Sequence, residues 1–317
     1  MSQLAMEYRR LGKSGVRVSA VGLGGNTFGR FCDEAATAAI VDTALELGVN
    51  FIDTAELYSN GVSEELLGKA LKGRRHDVVL ATKTGARDEP GSEAGGRLTR
   101  KRIVERLEAS LKRLGTSYVD VYYLHFPDPQ TPIEESLRAL DDMVTAGKIL
   151  YPACSNYPAW EVAEMISICD RRGFASPVVT QNPYSLLDRR VERELAPACI
   201  HFGLSIVPYS PLAGGFLTGK YRRGSAPPAG TRGHASEAWQ RNWLTKERFD
   251  LLERLEAFAA ARDQSVGALA VAWLLAQPVV CSVIAGATSA AQVEANVQAA
   301  GWILSEPDLE ELARITG

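Results

Sequence analysis

The sequence predicts an α/β chain whose eight strand–helix units close into a (β/α)8 barrel, the TIM-barrel architecture, and three observations predict it. Short apolar, β-branched clusters bounded by turn residues begin at Ala20, Asn50, Val78, Val119, Ile149, Pro177, Ser205 and Cys281, mostly about 30 residues apart, the length of one βα unit. Each cluster is followed by a segment with helical spacing of its apolar residues. No linker interrupts the 317 residues, so residues 1–317 are expected to form one barrel domain.

The elements follow in order. Residues 6–11 and 16–18, joined by Gly12-Lys13-Ser14-Gly15, read as a hairpin ahead of the first strand, placed to plug the bottom of the barrel. Helical segments follow the strands at 33–47, 63–71, 99–114, 132–146, 159–173, 190–202, 265–277 and 289–300. Thr99, Ser265 and Ser289 stand at N-cap positions, and Gly48, Gly115, Gly147 and Gly203 just past helix ends. The interval from Ser205 to Cys281 is more than twice the others. It holds a Gly-, Pro-, Ser- and Arg-rich loop (210–243) and an extra helix at 246–262. In a barrel such a loop lies on the catalytic face and reads as a lid, with Trp239 and Trp243 placed to cover a substrate and Trp273 and Trp302 in the core. A doubly wound sheet is the alternative. Its fingerprint is incomplete, because the first strand ends Gly22-Leu23-Gly24-Gly25-Asn26-Thr27, without the third glycine of GxGxxG. Gly214 to Lys220 spells GxxxxGK, but Tyr221 follows where a phosphate loop needs Ser or Thr, and no helix opens there.

Composition excludes several classes. With 46% hydrophobic residues the chain can bury a large core, and 35 basic against 38 acidic residues give a net charge of −3, with no cationic excess for a nucleic acid. The longest apolar run of the second half, 268–276, is far short of the about 20 residues that span a bilayer. A cytoplasmic protein without membrane or nucleic-acid partners is expected. Cys32, Cys154, Cys169, Cys199 and Cys281 are odd in number, scattered and never spaced CxxC, which suggests buried thiols and neither disulfides nor a metal site. No oligomerisation signal stands out.

Active residues of barrels sit where strands end. The second strand ends in Asp53, with Tyr58 in the loop behind it; the third ends in Lys83 and the fourth in His125. The fifth delivers Ser155 and Asn156, the sixth Gln181 and Asn182, the seventh Tyr209 and Ser210, and the eighth Gly286, Ala287 and Thr288. Asp, Tyr, Lys and His on one rim form an acid–base set. A phenol with an ordinary pKa near 10 is a poor acid at neutral pH unless a cation such as Lys83 stabilises phenolate. Asp53 would keep that ammonium charged, and neutral His125 would donate a hydrogen bond to a carbonyl oxygen. Each residue alone could be structural; four on consecutive strands are hard to obtain by chance.

The residues also resemble a known family, the aldo-keto reductases, along nearly the whole chain. The resemblance is carried by NFIDTAELYSNGVSEELLGKAL (50–71), VVLATKTG (78–85), YVDVYYLHFPDP (118–129), ACSNYPAW (153–160), TQNPYSLLDR (180–189), PYSPLAGGFLTGKY (208–221) and GATSAAQVEAN (286–296). It implies NAD(P)H-dependent reduction of an aldehyde or ketone, a sugar or keto-sugar among them, to an alcohol. Tyr58 is then the proton donor, Lys83 and Asp53 lower its pKa, and His125 orients the carbonyl. Ser155, Asn156 and Gln181 match the family's carboxamide ligands, Tyr209 the ring that stacks on the nicotinamide, and Gly25 and Asn26 the contacts beneath it. The diphosphate falls to Ser210, Pro211, Leu212, Gly214, Leu217, Lys220 and Arg232. Gly286, Thr288, Ser289, Gln292 and Asn296 match the clamp on the adenosine, where hydroxyls and a helix N-terminus suit a 2′-phosphate. NADP is therefore the implied cofactor, with NAD as second choice, because no Arg stands at 288 or 289 and Ala295 replaces a common Glu. Phe126 adds an aromatic wall. The long loop resembles the branch containing potassium-channel β-subunits and bacterial sugar and aldehyde reductases. Two other classes stay open: a cofactor-binding regulatory subunit with little turnover, and a Schiff-base aldolase using Lys83.

Overall fold

A computed structural model describes residues 6–87 and 96–317 of the chain. Two short strands, β1 (Tyr8–Arg10) and β2 (Arg17–Ser19), pair antiparallel as the N-terminal hairpin. Eight parallel strands follow: β3 (Val21–Gly24), β4 (Phe51–Asp53), β5 (Val79–Thr84), β6 (Val119–Leu124), β7 (Ile149–Ser155), β8 (Val179–Pro183), β9 (Ser205–Tyr209) and β10 (Val283–Gly286). They run in the order β10-β3-β4-β5-β6-β7-β8-β9, each hydrogen-bonded to the next in sequence, and one bridge from Ile206 to Val280 brings β9 back towards β10. Helices flank this nearly closed barrel, the (β/α)8 architecture that the strand spacing predicts.

Strands buried on both faces need apolar residues in both directions, and here the two faces feed two cores. Phe51, Val79, Ala81, Val121, Tyr123, Ala153, Val179 and Val207 point inward and pack with Leu11 and Val18 of the hairpin. The hairpin thus closes the barrel bottom. Gly12 turns there at φ +57°, and a side chain on it would come within 2.1 Å of the Val178 carbonyl oxygen; only glycine fits. Outward-facing residues such as Ile52, Leu80, Tyr122, Leu124 and Ile206 pack under the helices.

The helices are α1 (Glu34–Glu46), α2 (Val62–Ala70), α3 (Arg100–Leu114), α4 (Ile133–Thr145), α5 (Ala159–Arg172), α6 (Leu195–Phe202), α7 (Arg232–Ala235), α8 (Glu237–Trp243), α9 (Lys246–Ala260), α10 (Val266–Leu275), α11 (Ala290–Ala299) and α12 (Glu306–Thr316). Thr99, Ser265 and Ser289 each accept a hydrogen bond from the third residue of the helix behind them, which satisfies a backbone donor left open by helix geometry. Three differences from the sequence expectation are local. Segment 190–202 splits into a single tight turn at Arg190–Glu192 and the shorter α6. The C-terminal α12 is an unforeseen addition, started by a capping box of Ser305 and Asp308. In the long loop, Trp239 and Trp243 are not among the residues lining the cavity at the strand ends; they pack against each other and on Tyr221 and Phe216, which meets Phe249 of α9. These five aromatic rings join the outer core that packs under the helices.

Among the described residues no helix is long and apolar enough to cross a membrane.

Candidate active site

The C-terminal ends of the barrel strands and the loops beyond them line one cavity of about 1000 Å3, at the upper end of ligand-pocket volumes. β4 ends on Asp53 and the loop behind it reaches Tyr58. Ser59 (φ 51°), Asn60 (φ 54°) and Gly61 (φ 90°) then turn sharply through the left-handed region, where the two residues with side chains carry a steric cost. Ser59 Oγ donates to the Phe28 carbonyl at 2.8 Å, tying this turn to the loop after β3. On its other side the bare Gly61 backbone lies against Arg113, whose Cδ would sit 2.7 Å from an added Cβ. Arg113 Nε donates to the buried Glu64 at 2.6 Å, and Thr82 Oγ1 to the same carboxylate at 2.5 Å. The Tyr58 turn is braced from both sides.

Lys83 approaches from β5, entirely buried. Its Nζ donates to Asp53 Oδ2 at 2.5 Å and to the Thr54 carbonyl at 2.8 Å, and lies 3.5 Å from the Tyr58 hydroxyl. Gln181 Nε2 donates to the other Asp53 oxygen at 2.9 Å. Both carboxylate oxygens are thus matched, the condition under which a charge pair can be buried. Burial works to lower the Lys83 ammonium, but Asp53, with Tyr58 adding to it, outweighs burial and the net direction is upward. Burial raises the Tyr58 phenol above 10, against the pull of Lys83 and with Asp53 adding to the rise. The sequence reading expected a net lowering by Lys83 and Asp53. The ammonium acts in that direction, but desolvation of phenolate is the larger effect, and the Asp53 charge adds to the rise.

His125 follows β6, its backbone N–H donating to the Thr84 carbonyl at 2.8 Å. The ring stacks on Phe126 at 4.8 Å and meets Tyr58 edge-on at 6.4 Å. Burial, then the Lys83 charge, lowers its pKa to about 3, so it is a neutral imidazole. Nδ1 is buried without a partner among the described residues, and the ring lines the cavity; a neutral imidazole carries one N–H donor and one acceptor nitrogen.

The opposite wall is amide-rich. Ser155 Oγ donates to the Gln181 carbonyl at 2.7 Å, Asn156 Nδ2 to the His125 carbonyl at 2.9 Å, and the Tyr209 hydroxyl to Asn156 Oδ1 at 2.8 Å. Further out, Gly214 (φ 67°) and Gly215 (φ 94°) follow Ser210, Pro211 and Leu212. Lys220 Nζ would lie 3.4 Å from a Cβ at Gly215 and Arg232 Nη1 3.7 Å from one at Gly214, so two cations flank a bare backbone suited to an anion. At the start of α11, Thr288 donates through its N–H and hydroxyl to Gln292 Oε1 at 2.8 and 3.2 Å.

Of the residues singled out by sequence, Asp53, Tyr58, His125, Asn26, Ser155, Asn156, Gln181, Tyr209, Ser210, Pro211, Leu212, Gly214, Lys220, Arg232, Gly286, Thr288, Gln292 and Asn296 line this cavity. Lys83 does not line it but contacts two residues that do, Asp53 and Tyr58. Gly25, Leu217 and Ser289 do not line it: the Gly25 carbonyl is taken by Ser63 Oγ, Leu217 lies in the outer core, and the Ser289 hydroxyl caps α11. Phe31, Thr231, Ser265, Gly267 and Ala268 line it unforeseen. Ser265, read from the sequence only as a helix cap, both caps α10 and lines the cavity.

The sequence model described as the Aldo/keto reductase family matches residues 20–316. A probable voltage-gated potassium channel subunit beta of Oryza sativa subsp. japonica is 39% identical over 302 residues, covering 93% of this chain and 91% of the relative. An aldo-keto reductase of Bacillus subtilis is 34% identical over 98% of this chain and 93% of its own length. An aflatoxin B1 aldehyde reductase of Homo sapiens is 38% identical over 89% of this chain and 82% of its own length. With a barrel, a strand-end cluster of Asp53, Tyr58, Lys83 and His125, and a family match over nearly all its length, the chain belongs to the aldo/keto reductase family of oxidoreductases.

Proposed function

We propose that this protein reduces an aldehyde or ketone to an alcohol with NADPH, Tyr58 acting as the acid. The observation that carries the reading is the Lys83 ammonium held 3.5 Å from the Tyr58 hydroxyl by Asp53, beside a neutral His125. A nicotinamide dinucleotide suits the donor set: side-chain amides at Asn156 and Gln181 for a carboxamide, the Tyr209 ring for a planar heterocycle, and Lys220 and Arg232 beside bare glycines for a diphosphate. When bound, it supplies the hydride. This chain's residues do the rest. His125 donates a hydrogen bond to the carbonyl oxygen, which draws electron density from the carbon. Tyr58 then gives its proton to that oxygen as negative charge builds there, and Lys83 stabilises the phenolate left behind. For the 2′-phosphate, Thr288, Gln292 and Asn296 line the adenosine end with no Lys or Arg among them, so the preference for NADPH over NADH is moderate.

An aldolase role fits poorly. The Lys83 amine is bonded to Asp53 and the Thr54 carbonyl and its pKa is raised, and a protonated amine is no nucleophile. The resemblance to channel β-subunits favours a second reading, a cofactor-binding subunit with slow turnover.

Oxidation of NADPH and NADH by a panel of aldehydes and ketones tests the proposal. NADPH turnover is expected, with kcat/KM above that for NADH, and with kcat of Tyr58→Phe lower by about 100-fold or more. Unchanged kcat in Tyr58→Phe would sink the assignment of the acid. Binding of NADPH without oxidation by any carbonyl would support the regulatory reading instead.

A further inference from the structure

On the outer side of the barrel, behind Tyr58 and Lys83, lies a buried charge that the proposed proton transfer does not use. Glu64, in the first turn of α2, has no exposed surface. Arg113 of α3 donates to one of its oxygens at 2.6 Å and Thr82 of β5 to the other at 2.5 Å. None of the three residues lines the cavity. Taking two charges out of water costs about as much as their attraction returns, so stability is a weak reason for this pair to be buried. The pair does join the two elements on which the acid depends. Side chains alternate along β5: Thr82 turns outward to Glu64, and the next residue, Lys83, turns inward to Asp53 and the Thr54 carbonyl. Glu64 itself follows directly on the left-handed turn at Ser59, Asn60 and Gly61 that succeeds Tyr58. Its neighbour Ser63, equally buried, donates to the Gly25 carbonyl at 2.8 Å and lies 2.8 Å from Thr54 Oγ1. Arg113 closes the arrangement by packing its Cδ against Gly61.

We propose that Glu64 is a positioning residue for proton transfer: by gripping Thr82 and Arg113 from the turn behind Tyr58, it sets the separation between the Lys83 ammonium and the Tyr58 hydroxyl. This rests on the carbonyl-reductase reading. The separation is 3.5 Å, at the outer limit of a hydrogen bond, so a small outward shift of β5 or of the loop removes the contact. Around the Tyr58 hydroxyl stand Lys83 of β5, Asp53 of β4, His125 behind β6 and Tyr209 of β9. Lys83 is the cation of this group, His125 being neutral. A more distant ammonium stabilises phenolate less, which raises the Tyr58 pKa, weakens the acid and lowers kcat. Binding in the cavity is left as it was, because the three side chains do not line it.

The experiment follows reduction of 4-nitrobenzaldehyde by NADPH in the purified protein and three variants. Thr82→Val keeps the side-chain shape and the Glu64–Arg113 pair but has no hydroxyl to donate, whereas Thr82→Ser restores the donor. In Thr82→Val kcat is expected to fall by about tenfold, the scale of a sub-ångström misplacement, with KM for the aldehyde and Kd for NADPH, from fluorescence titration, within about twofold of the parent. The alkaline limb of its kcat–pH profile moves to higher pH, since Tyr58 is an acid only while protonated and a raised pKa keeps it so for longer. Thr82→Ser is expected to match the parent in both respects, and Glu64→Gln, of equal size without the charge, to move as Thr82→Val does. Parent kcat and an unmoved limb in Thr82→Val, a loss that falls on KM or Kd, or a Thr82→Ser variant as slow as Thr82→Val each overturn the proposal alone. Should Thr82→Val not fold, Glu64→Gln read in the same way decides. Absence of turnover in the parent protein overturns the carbonyl-reductase reading and this proposal with it.

Discussion

His125 is held neutral by burial and by the Lys83 ammonium, with its pKa lowered to about 3, and this has a thermodynamic consequence. In the unfolded chain the same imidazole titrates near 6.5. Between those values the unfolded state binds a proton that the folded state refuses, so stability rises with pH across that interval. The contribution of a neutral His125 is complete above pH 6.5 and is lost as pH falls towards about 3. His125→Gln has no such group, and its melting temperature is expected to fall less steeply between pH 6.5 and 4 than that of the parent; parallel profiles would refute the buried neutral state. The places of Asp53, Lys83 and His125 were legible in the sequence because strand ends are set by a period of two and by turn chemistry, whereas Tyr58 lies in the loop behind β4. The direction of the Tyr58 pKa was not legible. It depends on how deeply the phenol is desolvated, and depth is a property of the closed barrel, where Asp53 also meets Gln181 from a strand remote in sequence.

The hairpin of β1 and β2 shows how much an element can be specified by its turn. Leu11 and Val18 fill the barrel bottom, Arg9 Nη1 donates to the Leu275 and Val280 carbonyls at 2.7 and 3.0 Å, and Gly12 meets the Val178 carbonyl with no room for a side chain. Gly12→Ala therefore combines a left-handed alanine with a backbone collision, a cost of about 2 kcal/mol or more, which lowers the melting temperature by several degrees. Because the hairpin lies at the opposite end from Tyr58, kcat at 25 °C should stay within about twofold of the parent, as thermal melts and steady-state rates would show; an unshifted melt would mean that the turn relaxes. Long elements were readable from periodicity, whereas α7 and α8 span 4 and 7 residues, shorter than the window over which a helical period can be recognised. For α12 the capping box around Ser305 and Asp308 was present as a local signal. It lies beyond the eighth βα unit, where the barrel pattern no longer demands a helix.

At the scale of the molecule, eight repeats at a regular interval made the architecture legible, because a βα unit buries its apolar faces only by joining its neighbours. The long interval before the last repeat marked the lid, but its internal packing was not readable, since Trp239 and Trp243 serve a cover or a core equally well until their neighbours are known. The same interval falls at the place where β9 and β10 come together. Seven junctions of the barrel are ladders; at the eighth, Ile206 N–H donates to the Val279 carbonyl at 2.8 Å and Cys281 N–H to the Ile206 carbonyl at 3.3 Å, forming a single bridge near the bottom. The loops proposed to hold the dinucleotide leave from the upper ends of these two strands. A bound dinucleotide would therefore act as a staple, joining two sheet edges that the backbone leaves largely unstitched and adding its binding free energy to the closure of the ring. Hydrogen–deuterium exchange reads this directly: NADPH should slow exchange in β9 and β10 more than in β5 and β6, and slowing spread evenly over all eight strands would show that the ring is already sealed without it.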